Sequence, residues 1–264
     1  MKKYLVIGNP ISHSLSPQLH NYWIKQNGIN AVYNKKKLKS NELENLILKV
    51  KHNNISGLNV TIPFKNIVIP YLDELSDEAK ITQAVNTIYL KDNKTIGHNT
   101  DIEGFEKAIK KLNFNFYNKK IFILGAGGVV PSIVHASMKM GSSEIIISNR
   151  TESKAKKVKD TFKDVQIVKW GDMPNFDVIV NATSLGLNKD DNINLDFTKV
   201  GKNKLFYDVI YNPTETNFLN TGKKLGNIFE NGKFMFIYQA YLAFKLWHNV
   251  EPTIDSETVK LLDR

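Results

Sequence analysis

The chain has 264 residues, of which 42% are hydrophobic and 23% charged, as expected for one large or two modest globular domains. It contains no cysteine, which excludes disulfides, thiolate nucleophiles and cysteine-based metal sites. The net charge of +10 comes from lysines scattered along the chain, with only two arginines, so no nucleic-acid interface is expected. The apolar run near Met1 is too short for a signal peptide and no stretch approaches a membrane span, which favours a cytoplasmic protein.

The first hundred residues alternate short β-like runs with amphipathic helical stretches, with no internal repeat. Strands are predicted over residues 4–8, 31–38, 57–62, 86–90 and 94–97. Helices are predicted over about 17–26, 42–51 and 102–111. This pattern indicates a first α/β domain.

The second half has a more regular strand–helix alternation. Strands are predicted over 121–124, 144–148, 165–168, 177–180 and 205–209, and helices over about 130–140, 153–162 and 233–247, with a short one near the end. Several of these strands are continuous apolar runs, which is typical of parallel sheets covered on both faces. We therefore predict two α/β domains, the second a Rossmann-type doubly wound parallel sheet.

A glycine-rich turn follows the first strand of this second domain. Gly125, Ala126, Gly127 and Gly128 come between the strand and the next helix, where small residues let the backbone approach a pyrophosphate. Glycines also occur in ordinary turns, so this turn alone does not identify a nucleotide site.

A basic side chain stands at the end of the next strand. NAD enzymes place an acidic residue there to bind the ribose 2′-hydroxyl, but here Arg150 occupies that neighbourhood and Lys154 follows one turn later. A guanidinium suits a 2′-phosphate, which a carboxylate would repel. The pattern favours NADP, the alternative being that Arg150 is a surface residue.

Two serines lie in the segment VIGNPISHSLSPQLHN. Ser14 and Ser16 are two residues apart, so in an extended segment their hydroxyls would point the same way and could bind a carboxylate or hydroxyls together. The alternative is that Ser16 caps a helix beginning at Pro17, as Ser-Pro commonly does.

Other polar residues interrupt apolar surroundings. Asn59 and Thr61 share one face of a predicted strand, Lys65 follows it, and Asp101 stands at the entry to a helix. From spacing alone, Lys65 could equally be a surface lysine and Asp101 a helix-terminal residue.

Taken together, these segments resemble the shikimate dehydrogenase family along essentially the whole chain. The motifs that carry the resemblance are, in order, SHSLSP, NVTIPFK, AVNT, GHNTDIEGF, GAGG, NRT, NATSLGL, YDVIYNPTET and YQA. The resemblance implies NADPH-dependent reduction of 3-dehydroshikimate to shikimate, in the shikimate pathway of aromatic amino-acid biosynthesis. It also implies a substrate-binding domain of residues 1–101 plus 233–264, an inserted NADP-binding domain of residues 102–232, and an active site in the cleft between them.

The resemblance also implies roles for individual residues. Lys65 and Asp101 would be the catalytic pair. The implied substrate-binding residues are Ser14, Ser16, Asn59, Thr61, Asn86, Tyr211 and Gln239. The implied cofactor-binding residues are Asp77, Gly125, Ala126, Gly127, Gly128, Val129, Asn149, Arg150, Thr151, Lys154, Val209 and Gly232.

Some features leave alternatives open. Gln83 stands where the family usually has glycine, and Tyr241 stands where small residues are usual, near Gln239.

The alternatives to the implied activity are a quinate/shikimate dehydrogenase using NAD and a redox sensor that binds NADP without turnover. No metal site is predicted, because the six histidines show no ligand spacing. Both a monomer and a homodimer fit the sequence.

Overall fold

The computed structural model describes residues 1–263, which divide into two compact units. Unit 1 comprises Met1–Gly104 and Ile237–Asp263, and unit 2 comprises Phe105–Phe236. The division predicted from sequence placed both boundaries a few residues earlier. Arg264, which that division assigned to the substrate-binding domain, lies outside the described residues.

Unit 1 is built on a mixed six-stranded sheet. Its strands are β1 (Lys2–Gly8), β2 (Ala31–Lys37), β3 (Gly57–Val60), β4 (Glu74–Leu75), β5 (Thr87–Lys91) and β6 (Lys94–His98), in the order β2-β1-β3-β5-β6-β4. β1 pairs in parallel with β2 and β3, whereas β5 runs antiparallel to β3 and β6. The β3–β5 register sets Asn59 opposite Thr87, which brings together two segments nearly thirty residues apart in the chain.

Unit 2 is built on a fully parallel six-stranded sheet. Its strands are β7 (Lys120–Leu124), β8 (Glu144–Ser148), β9 (Gln166–Val168), β10 (Val178–Asn181), β11 (Leu205–Asp208) and β12 (Ile228–Glu230), in the order β12-β11-β10-β7-β8-β9. This is the doubly wound order, in which successive strands are added first on one side of β7 and then, from β10 onwards, on its other side. The predicted α/β class with a Rossmann-type sheet is confirmed.

Helices cover the sheets and also join the two units. They are α1 (Ser16–Gln26), α2 (Leu43–Lys51), α3 (Asp77–Thr82), α4 (Asp101–Lys111), α5 (Val130–Lys139), α6 (Glu152–Thr161), α7 (Asn217–Lys224), α8 (Lys233–His248) and α9 (Ser256–Lys260). The boundaries between the units fall within α4 and α8. Across residues 1–263, none of these helices is long and apolar enough to cross a membrane.

The sequence missed α3, α7, β4 and β12, and it placed the end of β3 two residues too far along the chain. Both missed helices begin with a side-chain cap, since the hydroxyls of Ser76 and Thr216 accept the amides of Ala79 and Leu219 at 3.3 Å. These caps are the sequence signal that would have located them. β4 and β12 have only two and three residues, too few for a hydrophobic period to be visible.

The C-terminal part of α8 packs into the core of unit 1. The Trp247 indole N–H donates to the carbonyl of Ile88 at 3.1 Å. A Cβ at Gly57 would lie 2.4 Å from the indole nitrogen, so only glycine fits beneath this ring. This packing explains how a segment from the end of the chain becomes part of the N-terminal unit.

Candidate active site

The two serines lie where the loop after β1 enters α1. The Ser14 hydroxyl donates to the Ser16 hydroxyl at 3.2 Å, and the Ser16 amide donates to Ser14 Oγ at 3.3 Å. The intervening Leu15 is helical rather than extended, so a turn brings the hydroxyls together instead of strand alternation. The alternative that Ser16 caps the helix is wrong, because Ser16 is the first helical residue and Leu15 occupies the cap position without a side-chain bond.

The Asn59 side chain is held by hydrogen bonds to three residues of the sheet region. Its amide nitrogen donates to the Asn86 carbonyl and to Thr87 Oγ1, both at 3.1 Å. Its oxygen accepts the Tyr33 hydroxyl at 2.6 Å. Thr61, predicted to share its strand, lies just beyond the end of β3, although its amide still donates to Ile7 at 2.9 Å.

Lys65 and Asp101 form a buried ion pair. Lys65 Nζ lies 2.5 Å from Asp101 Oδ2, and the two residues are 9% and 6% exposed. Lys65 follows β3, where its carbonyl accepts the Val85 amide at 2.7 Å, and Asp101 is the first residue of α4. Side chains 36 positions apart therefore meet in one hydrogen-bonded pair, which is not the geometry of a surface lysine and a lone helix-terminal carboxylate.

Asn86 orients the second oxygen of Asp101. Its amide nitrogen donates to Asp101 Oδ1 and to Thr100 Oγ1, both at 2.9 Å. Its oxygen accepts the Thr100 amide at 2.8 Å and the Thr87 hydroxyl at 3.0 Å. Thr87 and Thr100 were not among the predicted residues, yet they complete the network. Because both Asp101 oxygens are engaged, the carboxylate has a fixed orientation toward Lys65.

Gln239 also belongs to unit 1, where α8 crosses α4 closely. A Cβ at Gly104 would lie 3.0 Å from the backbone nitrogen and Cβ of Gln239, so the glycine allows the two helices to approach. The glutamine is partly exposed. Unit 1 thus contains Lys65, Asp101 and, of the seven predicted substrate-binding residues, all except Tyr211.

The glycine turn of unit 2 adopts a shape that requires glycine. Gly125 has φ +112°, and a Cβ there would lie 2.7 Å from the carbonyl oxygen of Ala182 on the neighbouring chain segment. Its amide donates to the Ser148 carbonyl at 2.8 Å, which ties the turn to the end of β8. At Gly127 a Cβ would meet nothing within 4 Å, so the space beside its backbone is open.

The remaining turn residues, Ala126, Gly128 and Val129, lead into α5, whose first turn contains Pro131. The loop after β8 and the start of α6 contain the basic residues predicted to bind a 2′-phosphate. Arg150 and Lys154 are exposed, and Thr151 occupies the N-cap position of α6. The Asn149 side chain donates to the Thr151 carbonyl at 2.7 Å and so shapes this loop.

Val209 and Gly232 lie against each other. A Cβ at Gly232 would be 2.1 Å from the carbonyl oxygen of Val209, which excludes every other residue without a backbone shift. Tyr211 follows, also in unit 2, with its ring stacked on Phe236 at 4.5 Å between centroids. Asp77 belongs to unit 1, whereas the other predicted cofactor residues belong to unit 2. It is exposed at the start of α3 and pairs with Lys80 at 3.3 Å.

A buried carboxylate that the sequence analysis did not single out supports the loop with Val209 and Tyr211. Asp208 accepts hydrogen bonds from Thr216 Oγ1 at 2.7 Å, the Ile210 amide at 3.0 Å and Asn181 Nδ2 at 3.1 Å. Burial raises the pKa of Asp208 to about 6 despite these bonds. Across residues 1–263, no group of three His, Asp or Glu side chains is arranged to hold a metal ion.

Comparison with known proteins gives one consistent family. Residues 6–88 match the family described as shikimate dehydrogenase substrate binding domain, and residues 106–209 match shikimate / quinate 5-dehydrogenase. The shikimate dehydrogenase (NADP(+)) of Pelagibacter ubique is 57% identical over 262 residues, covering 99% of each chain.

Solved structures agree with this comparison. Shikimate dehydrogenase from Aquifex aeolicus is 35% identical with a TM-score of 0.89, and the match covers 99% of this chain and 97% of that one. Shikimate 5-dehydrogenase from Thermus thermophilus, solved in complex with NADP(H) and shikimate, is 28% identical with a TM-score of 0.90, over 99% and 98% of the two chains. With its fold, its motifs and its full-length relatives in agreement, the chain belongs to the shikimate dehydrogenase family.

Proposed function

We propose that this chain catalyses the reversible NADPH-dependent reduction of 3-dehydroshikimate to shikimate, with Lys65 and Asp101 as the catalytic pair. The observation that carries the proposal is the buried Lys65–Asp101 ion pair, 2.5 Å between Nζ and Oδ2, set among uncharged polar side chains. The Pelagibacter ubique relative, which is named shikimate dehydrogenase (NADP(+)) and is 57% identical to this chain, supports the same activity.

The substrate would be held by the polar side chains of unit 1, with Tyr211 of unit 2. Ser14 and Ser16 offer two adjacent hydroxyls, which suit the oxygens of a carboxylate. Thr61, Gln239 and the two asparagines would bind ring hydroxyls. Both amide hydrogens of Asn59 are already donated within the protein, so this side chain would accept a ring hydroxyl through its oxygen, which also accepts the Tyr33 hydroxyl. Asn86 already donates both amide hydrogens and accepts from Thr100 and Thr87 through its oxygen, so it would bind a ring hydroxyl by exchanging one of these bonds.

The cofactor would be held by unit 2. The open space at Gly127 and the required glycine at Gly125 fit a pyrophosphate lying against the backbone at the start of α5. Arg150 and Lys154 would bind the 2′-phosphate, with Asn149 and Thr151 shaping the loop. Val209 and Gly232 would line the same site, and Asp77 would contribute from unit 1.

Bound NADPH supplies the hydride for ketone reduction. The protein must then stabilise the oxygen that gains negative charge and deliver a proton to it. An ammonium at Lys65 Nζ placed beside the ketone oxygen would do both, and in the reverse direction the amine would accept the proton. The Asp101 carboxylate fixes the position of the lysine, while Asn86 fixes the carboxylate.

The proposal is tested by steady-state assays with two substrates and two cofactors. We expect turnover with shikimate and NADP, and much weaker turnover with quinate or with NAD. Preferred use of quinate and NAD would indicate a quinate dehydrogenase instead. Saturable NADP binding without turnover of either substrate would indicate a redox sensor and would refute the catalytic proposal.

A further inference from the structure

A buried tyrosine outside the predicted site is unusually well fixed. Tyr33 lies on β2 and is 1% exposed. The Asn21 side chain of α1 binds both of its backbone groups, donating to the Tyr33 carbonyl at 2.7 Å and accepting the Tyr33 amide at 2.9 Å. This two-point bond fastens α1, the helix that begins at Ser16, to β2 at this residue.

The ring of Tyr33 is also fixed from one face. The His20 imidazole stacks on it with 4.2 Å between centroids and 4° between planes. His20 is fully enclosed, and neither ring nitrogen has a hydrogen-bond partner. It is surrounded by the rings of Trp23, Phe244 and Trp247. The phenol therefore has little freedom to move, and its hydroxyl points away from an apolar cluster.

The hydroxyl orients one residue of the proposed substrate site. It donates to Asn59 Oδ1 at 2.6 Å, which orients the amide so that both hydrogens go to Asn86 and Thr87. Burial holds the pKa of Tyr33 well above its usual range. The phenol stays protonated and remains a hydrogen-bond donor.

We propose that Tyr33 is a positioning residue of the substrate site, whose phenol holds the Asn59 amide and whose backbone is fastened to the helix that begins at Ser16. This inference rests on the proposed function. A chain of hydrogen bonds runs from Asn21 of α1 through Tyr33 and Asn59 to Asn86, which in turn orients Asp101. The phenol touches no reacting atom. It sets the orientation of the Asn59 oxygen, through which Asn59 would bind a ring hydroxyl.

The test compares Tyr33→Phe with a matched control, Tyr4→Phe. Tyr4 is an equally buried tyrosine in the same aromatic cluster, but its ring contacts Trp247 and His248 rather than the proposed site. We expect Tyr33→Phe to raise KM for shikimate about five- to tenfold, the effect of one hydrogen bond, while KM for NADP stays unchanged. Tyr4→Phe should leave both KM values unchanged. An unchanged KM for shikimate in Tyr33→Phe overturns the inference.

A double variant distinguishes a positioning role of Tyr33 from a general loss of packing around its ring. If Tyr33 acts through Asn59, adding Tyr33→Phe to Asn59→Ala should raise KM for shikimate little beyond Asn59→Ala alone. Effects that multiply would overturn the inference. Should Tyr33→Phe not fold, Asn21→Ala takes its place, with the same expectation of a selective rise in KM for shikimate.

Wild-type turnover decides the proposed function separately. If the wild-type enzyme does not act on shikimate, the proposed function fails. If it does, and the variants leave KM for shikimate unchanged, only the role of Tyr33 fails. Calorimetric titration of shikimate into Tyr33→Phe gives a binding constant that requires no turnover, and it should weaken by the same factor as KM rises.

Discussion

The two units provide binding groups in opposite ways. In unit 1 the centre of the predicted site is a set of buried side chains joined by hydrogen bonds, from Asn59 through Asn86 to Asp101 and Lys65. In unit 2 the predicted cofactor residues present backbone at Gly125 and Gly127 and exposed charges at Arg150 and Lys154. A small hydroxylated substrate requires exact side-chain orientation, whereas a dinucleotide can be bound by backbone amides and a few flexible charges. Substitutions should therefore have larger and more specific effects in unit 1.

The largest effect is expected at Lys65. Lys65→Ala removes the group that delivers the proton and should lower kcat by about 10²–10⁴ with substrate affinity largely retained. Lys51→Ala is the matched control, since Lys51 also pairs with an aspartate of unit 1, Asp73 at 2.7 Å, but at an exposed site. Steady-state kinetics of both variants check this. Near-normal kcat in Lys65→Ala would show that the lysine is not the acid.

A smaller effect is expected at Arg150. Arg150→Ala should weaken NADPH binding by about 1.5–3 kcal/mol, the contribution of hydrogen bonds to a charged group, while binding of NADH changes little. Lys156→Ala is a control that removes a nearby positive charge of α6, one paired with Glu152 at 2.8 Å. Fluorescence titration with both cofactors measures the difference. Equal weakening of both cofactors would mean that Arg150 only supports the loop.

Acid should destabilise unit 1 through its buried histidine. Burial, aided by His248, lowers the pKa of His20 to about 3, so the unfolded chain binds a proton that the folded chain excludes. Stability therefore falls as pH drops below about 6.5, and the contribution of His20 between pH 7 and pH 5 is about 2 kcal/mol.

His20→Phe keeps an aromatic ring beside Tyr33 but cannot titrate. Urea unfolding at pH 7 and pH 5 should show a smaller loss of stability for this variant than for the wild type. The same loss in both proteins would mean that His20 does not contribute to acid sensitivity.

The smallest effect concerns Gln83, at the end of α3. It adopts a left-handed conformation with φ 50°, which costs less for glycine than for a residue with a side chain. Gln83→Gly should raise the free energy of unfolding by about 0.5–1 kcal/mol, measured by urea unfolding. Destabilisation would show instead that the Gln83 side chain, which donates to the Lys80 carbonyl at 2.7 Å, outweighs the strain.

The sequence predicted the structure best where few residue types are compatible with the local backbone or with burial. The glycine turn and the apolar strands of unit 2 predicted its Rossmann-type sheet, because backbone shape and burial restrict the residues allowed there. The spacing of Ser14 and Ser16 predicts that they act as a pair, but it suggests an extended segment, whereas the structure has a turn between them. The backbone angles of Leu15, which form this turn, cannot be deduced from the residue types. The roles of Thr87 and Thr100 were not visible, because they depend on sheet register and on the entry to α4.

The central claim is that Lys65 and Asp101 work as one unit on the proton of the ketone reduction. Its most direct test is kcat for NADPH oxidation with 3-dehydroshikimate in Lys65→Ala, in Asp101→Ala and in the double variant. We predict a double variant no slower than the slower single variant, because either change alone disables the pair. Losses that multiply across the two sites would contradict this, since they would mean that the ammonium and the carboxylate act independently.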